Sequence, residues 1–321
     1  MAITLQEAKV GMSDKIAAGV IDIFQRSSLL LDRLVFDNAV AAGGKGSTLT
    51  YGYQQTTTPA TAGVRKINSD YTPNEAKRTK KTAQCAILGG KYQVDRVIIG
   101  TSGEVDELAY QVAEKVKATA NEFTNMVING DSDGDSGEFD GLKKLLSGTD
   151  SEYTSDVDVS TSAKVKTNGN ALIDDLDALV SRVPGCNMIL TNLSTLLRIR
   201  SAARAAGYYD HRRDEFGRNV ETFNGIEMAD VGKYYDESTQ TAKDIIPVED
   251  DGTSYIYAVA IDLNGFHGIS PQGDKVIDSN LPDLKAPGAV KEGDVELVAG
   301  VALKDSHKAG VLKGIKVKPG T

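Results

Sequence analysis

The chain has 321 residues, 40% apolar and 25% charged; this excludes a disordered tail and allows two ordinary domains or one elongated body with a shared core. With 36 basic and 45 acidic residues it carries a net charge of −9, which excludes a protein devoted to neutralising nucleic-acid phosphates. No run of 18 apolar residues offers a membrane span, and the two cysteines, Cys85 and Cys186, are too few for a disulfide framework.

The opening MAITLQEAKVGMSDK lacks the pattern of a secretory signal, so the cysteines are expected to act as small hydrophobes in a reducing compartment. Ile16, Val20, Ile23, Phe24, Leu30, Leu31 and Leu34 then recur at helical spacing, up to the glycine pair Gly43-Gly44. Two readings of this segment stay open: an ordinary core helix, or an arm that docks on a neighbouring molecule.

Residues 47–100 read as a long two-stranded projection. Thr48 to Tyr53 favour a strand, TTTPATAG a loop tip, and Lys81 to Leu88 a return strand ended by Gly89-Gly90. The polar VRKINSDYTPNEAKRTKK between them cannot bury both faces. An isolated hairpin is marginal in water, so this one is expected to rest on something else.

The next segment predicts a long helix over 102–129. Thr101-Ser102-Gly103-Glu104 fits a capping box, and Val105, Leu108, Ala109, Val112, Val116, Ala120, Phe123 and Val127 form one apolar stripe. Its outer face carries Asp106, Glu107, Glu114 and Glu122. Further on, a helix is expected over 171–183, a buried strand over 188–191 and a helix with a basic face over 192–206. Strands are expected at 226–231, 244–248, 255–261, 295–303 and 310–317. Helices and strands without regular alternation define an α+β class.

Charge is distributed unevenly along this order. Residues 45–100 carry nine basic and three acidic residues, a net of +6; residues 101–160 carry four basic and fourteen acidic residues, a net of −10. A basic block followed by an acidic one calls for an explanation, and one is that the two meet if copies of the chain associate. The interface residues expected on this ground are Arg65, Lys66, Lys77, Arg78, Lys80 and Lys81 on the hairpin, and Asp106, Glu107, Glu114 and Glu122 on the helix.

Catalytic and binding motifs fail on spacing. AAGGKGS at 41–47 lacks the glycine, four residues, Gly-Lys-Ser/Thr of a phosphate loop and reads as a flexible joint. Asp131, Asp133 and Asp135 copy the first three ligand positions of a calcium loop, but Ser136 and Leu142 stand where glycine and a bidentate glutamate belong. A solvated acidic turn is the preferred reading, with these three aspartates as candidates for a metal. His267 reads as a structural imidazole, and the sequon at Asn192 as coincidence. No nucleophile is paired with a base, so neither an enzyme nor a cofactor is expected.

Taken in order, SSLLLDRL at 27–34, LGGKYQVDRVI at 88–98, INGDSDGDSGEFDGLKKLL at 128–146, CNMILTNLSTLLRIRSAARAAG at 186–207, DEFGRNVETFNGIEMADVG at 214–232 and IYAVAIDLNGFHGIS at 256–270 resemble tailed-bacteriophage major capsid proteins of the Hong Kong 97-type fold. The resemblance implies an N-terminal arm (1–45), an extended E-loop (46–95), a P-domain (96–160) containing the spine helix, an A-domain (161–285), and closing strands (286–321) at their border. It also implies a homo-oligomer of hexamers and pentamers, a separate scaffolding protein and a portal protein. Packaged DNA is contacted weakly and without sequence specificity. The location implied is the virion, with assembly in the host cytoplasm. Some relatives cross-link a loop lysine to a neighbour's asparagine; Lys66, Lys77, Lys80 and Lys81 are available, but no partner asparagine matches. An encapsulin-like compartment shell is the alternative, and a soluble enzyme without a recognisable motif a more distant one.

Overall fold

The computed structural model describes residues 29–38, 49–101, 107–133, 137–207, 210–213, 219–236, 238–271 and 277–320. In chain order these form α1 (Leu29–Arg33), β1 (Phe36–Asp37), β2 (Thr50–Thr58), β3 (Lys77–Gln84), β4 (Ala86–Asp95), α2 (Arg96–Thr101), α3 (Glu107–Asn129), α4 (Leu142–Leu146) and β5 (Glu152–Thr154). Then come α5 (Ser162–Arg182), β6 (Met188–Thr191), α6 (Leu193–Ala206), β7 (Asp210–Arg213), β8 (Asn219–Phe223), β9 (Ile226–Asp230), β10 (Lys233–Asp236) and β11 (Thr241–Asp244). The chain closes with β12 (Thr253–Val259), β13 (Phe266–Ile269), β14 (Ile277–Asn280), β15 (Val290–Leu303), a short 3-10 turn and β16 (Ala309–Lys316).

Helix α3 follows from its apolar stripe. Val112, Val116, Ala120, Phe123 and Val127 are buried at steps of three and four, over a helix about 35 Å long at 1.5 Å per residue. The described part starts at Glu107; Ser102 to Asp106, which hold most of the expected capping box, lie outside it. The buried stripe packs on a five-stranded sheet of β1, β13, β15, β14 and β4. Strand β15 is its organiser: β4 pairs along one edge from Val290 to Ala299, while β14 and β13 share the other.

The pair Gly89-Gly90 does not end a strand; β4 runs straight through it. A Cβ at Gly89 would lie 2.0 Å from the Val295 carbonyl oxygen, so glycine here permits a close approach of two backbones. The same device seats the arm. Phe36 lies against Gly268, where a Cβ would come within 2.6 Å of its ring. Leu30, Leu31 and Leu34 are buried in the core of their own chain together with Phe123 and Leu142. These three leucines lie where the core reading puts them; residues 1–28 and 39–48, on which the rest of both readings falls, lie outside the described part.

The second core sits between α5, α6 and a seven-stranded sheet in the order β5-β16-β12-β6-β9-β8-β7. Helix α5 starts earlier than expected because the Thr161 side chain caps it, accepting from the Lys164 amide. Asn192 caps α6 by accepting from the Thr195 amide at 2.8 Å, and its amide nitrogen donates to the Ile246 carbonyl and to Ser254 Oγ. At 2% exposure the sequon at Asn192 is structural. Residues 245–248 are not a strand; β11 ends at Asp244. Both cysteines are free thiols that burial pushes up to about 11, as expected of small hydrophobes.

Candidate subunit interface

Strands β2 and β3 pair from Thr50 with Gln84 out to Thr58 with Lys77, and they pair with no other strand. Every residue from 56 to 82 is exposed. The ribbon is joined to the body through a small cluster of Tyr51, Cys85, Ile269, Val298 and Ala302. Gly300 admits β3 at this root, since a Cβ there would sit 2.3 Å from the Gln84 carbonyl oxygen.

The tip has a shape of its own. Asn68 takes a left-handed conformation (φ 67°) in a turn where the Ser69 amide donates to the Lys66 carbonyl at 3.2 Å. The Arg65 guanidinium donates to the Ser69 carbonyl and lies 5.5 Å from the Tyr71 ring centre. Val64 and Ile67 stand out fully, at 105% and 91% exposure. Their exposure could not be read from a sequence in which they are ordinary aliphatic residues between polar ones.

The hairpin charges divide by strand alternation. Arg78 and Lys80 share one face with Gln54, to which Arg78 donates at 3.3 Å; Lys77 and Lys81 share the other with Tyr51 and Tyr53. All four are exposed. A single flat surface can therefore meet two of them at a time.

The structure brings two of the four expected helix acids into one place. Glu114 and Glu122 line a groove of about 710 Å³ with Ala118, Thr119 and Asn121 of α3, Ile87 to Gly89 of β4, and Tyr235 of β10. Lys115 and Lys117 line it too, so its charge is mixed. Ile87 and Tyr235, 62% and 61% exposed, are the apolar part of this groove, and no sequence pattern marks either. Glu107 is outside the groove and accepts from Gln111 at 2.7 Å. Asp106 lies outside the described residues.

At the acidic loop a side chain holds the position a cation would take. The Lys144 ammonium lies 2.5 Å from Asp131, 2.9 Å from Asp133 and 2.9 Å from Asp140. Its hydrogen bond and the Asp133 amide hold the Asp131 carboxyl below its ordinary range, and the three acids raise the Lys144 pKa in turn. Asp135 lies outside the described residues, and no group of three metal-ligating side chains occurs among the described ones.

No family model matches the sequence, and no curated protein matches it. Solved structures do match. The holo-SrpI encapsulin complex from Synechococcus elongatus aligns with 91% of this chain and 89% of its own at a TM-score of 0.63 and 14% identity. The capsid of a native GTA particle aligns over 89% and 90%, with a TM-score of 0.60 at 12% identity. A chain from Mycobacterium phage Bobi aligns over 89% and 90%, with a TM-score of 0.57 at 14% identity. At such identities the likeness establishes the fold: an α+β chain of the Hong Kong 97 type, the class of architecture used by shell-forming proteins.

Proposed function

We propose that this chain is the major capsid protein of a tailed bacteriophage or prophage, assembling into the icosahedral shell that encloses a double-stranded DNA genome. The observation that carries the reading is the ribbon from 56 to 82, exposed along its whole length and ending in Val64 and Ile67. Such a ribbon has no stability of its own to offer and gains it from another copy. In this reading the ribbon is the E-loop, α3 is the spine of the P-domain, and α5, α6 and the seven-stranded sheet form the A-domain. The protein acts by binding copies of itself, as hexamers and pentamers, without catalysis.

The ribbon lies across the α3 groove of a neighbouring copy. Val64 and Ile67 supply apolar burial, worth about 1.5–3 kcal/mol for each side chain fully covered. Arg78 and Lys80, or Lys77 and Lys81, face Glu114 and Glu122. Exposed charge pairs contribute about 0–1 kcal/mol each, so they chiefly set register and reject wrong pairings. A separate scaffolding protein and a portal protein complete assembly in the host cytoplasm, and the net charge of −9 keeps contact with packaged DNA weak. Electron microscopy of the expressed protein tests the proposal: closed particles are expected, and a monodisperse monomer overturns it.

The encapsulin likeness, with a TM-score of 0.63, favours a second reading, a compartment shell that encloses a protein cargo. Particles purified from the native source decide between the two. Double-stranded DNA inside supports the capsid, and an enclosed enzyme the compartment.

A further inference from the structure

The root of the ribbon holds a buried polar knot that the shell-forming role does not require. Its hub is Asp37 of β1. Asp37 Oδ2 accepts a hydrogen bond from the Tyr51 hydroxyl of β2 at 3.0 Å. It lies 3.9 Å from Lys304 Nζ, just past β15, and 4.0 Å from His267 Nε2 of β13. Three separate stretches of chain thus converge on the carboxylate of a fourth. Tyr51 is the ribbon's contribution, and its ring meets the His267 ring edge-on with centres 5.7 Å apart.

His267 is fully buried, at 0% exposure, and its Nε2 is one of the few buried side-chain atoms among the described residues with no hydrogen-bond partner. The other ring nitrogen, Nδ1, lies 3.3 Å from the Gly265 carbonyl oxygen. A carbonyl can only accept, so Nδ1 carries the hydrogen and Nε2 is left with a bare lone pair. That lone pair faces a carboxylate oxygen at a distance where nothing binds them. A buried acceptor opposite a part-buried acceptor is unfavourable until a proton arrives between them.

We propose that His267 is a proton switch for the ribbon: with the imidazole neutral, Asp37 holds Tyr51 and the root is docked, whereas a proton on Nε2 draws Asp37 to His267 and releases Tyr51. Proton uptake from solvent forms an Nε2–H bond and breaks one O–H bond of a hydronium ion, which leaves as water. The Tyr51 hydroxyl keeps its hydrogen and turns to water. Without that bond, the root keeps its small apolar cluster and the Lys304 contact with the Tyr51 ring, but loses its tie to β1.

The groups facing His267 set the direction of the switch. Burial disfavours the imidazolium most, Lys304 repels it next, and Asp37 and Asp262 favour it less strongly, so the docked root holds the group below its ordinary 6.5. A docked state that binds the proton less well than an undocked one loses ground as pH falls through the ordinary histidine range. Acid therefore loosens the ribbon, and neutral pH fastens it.

Amide hydrogen exchange on the purified full-length chain tests this at pH 7.5 and pH 5.5, with rates corrected for the intrinsic pH dependence. Protection at Tyr51 to Tyr53 and at Ala83 and Gln84 is expected to fall at least tenfold at the lower pH, while Ile256 to Val259 in β12 stay protected. In His267→Gln, which carries no titrating proton, the fall is expected to vanish. Unchanged protection in the wild type overturns the proposal, as does an equal fall in His267→Gln or a parallel loss in β12. Should His267→Gln not fold, Tyr51→Phe serves instead: it removes the bond to Asp37 and is expected to exchange fast at both pH values. A Tyr51→Phe protein with wild-type protection and a wild-type pH step overturns the proposal equally.

Discussion

Arg33 and Glu227 form a two-pronged ion pair across 194 positions of sequence, with Nε donating at 2.9 Å and the second guanidinium nitrogen at 2.8 Å. It ties α1 to β9 and so joins the arm to the edge of the second core. The planar fork matches the carboxylate, and Glu227 is 15% exposed, so the pair exceeds an ordinary surface contact. Arg33→Ala is expected to lower unfolding stability by about 1 kcal/mol, and Arg33→Lys to recover less than half of it. Urea midpoints for Arg33→Ala, Glu227→Ala and the double variant check this: additive losses would show that the two residues are not coupled.

Phe123 is the pivot of the first core. It is fully buried, 6.3 Å from Phe36 of the arm and 5.8 Å from Phe139 before α4, measured between ring centres. Phe123→Ala is expected to cost about 3–5 kcal/mol, the range for emptying such a site. A loss under 1 kcal/mol in denaturant unfolding would mean that the arm and α3 are not packed together.

Gly89→Ala tests the close approach of β4 to β15. The new methyl carbon would overlap the Val295 carbonyl, so the strands must part locally. The expected loss is about 1–3 kcal/mol, as for other overpacked sites, with faster exchange of the β15 amides near Val295. Unaltered thermal unfolding would contradict this packing.

Lys144→Met leaves Asp131, Asp133 and Asp140 facing one another without their shared cation. The Asp131 and Asp140 carboxyls are held below their usual values, so the contribution of Lys144 is complete near neutrality and fades as pH falls through those lowered values. The stability gap between wild type and variant is therefore expected to be widest near pH 7 and to close towards pH 3. A gap that grows in acid would disprove the assignment.

Reversing all four hairpin charges, Lys77, Arg78, Lys80 and Lys81, to glutamate is expected to block particle formation. Reversing them by face separates their roles: one of the pairs Arg78 with Lys80 or Lys77 with Lys81 is expected to abolish particles, and the other to spare them. Equal effects of the two pairs in electron micrographs would reject a ribbon laid flat on a single surface. Normal particles from the fourfold variant would reject the electrostatic part altogether.

What the sequence made legible were the elements with a long, regular signal. The α3 stripe, the Asn192 start of α6 and the polar ribbon are each written over many residues or by a cap with one meaning. The strands β7, β8, β10 and β14 were not legible, being four or five residues long and stabilised by pairing with the strand that follows rather than by a long pattern of their own. Gly89-Gly90 misled because a glycine that stops a strand and one that lets two strands touch are the same letter. Within the proposed interface, the charges of the ribbon and α3 were visible in advance. Ile87 and Tyr235 were not, because β4 and β10 come together at α3 only in the folded chain. The knot at Asp37 was hidden for the same reason.

Strand β15 passes into β16 through residues 304–308 alone, and each is an interior strand of its sheet. The two cores are therefore joined by two long strands with one short 3-10 turn between them. In the shell proposed above, a tile built this way would bear load as one stiff plate, and the flexing demanded by differently curved parts would fall on the slender ribbon at its margin.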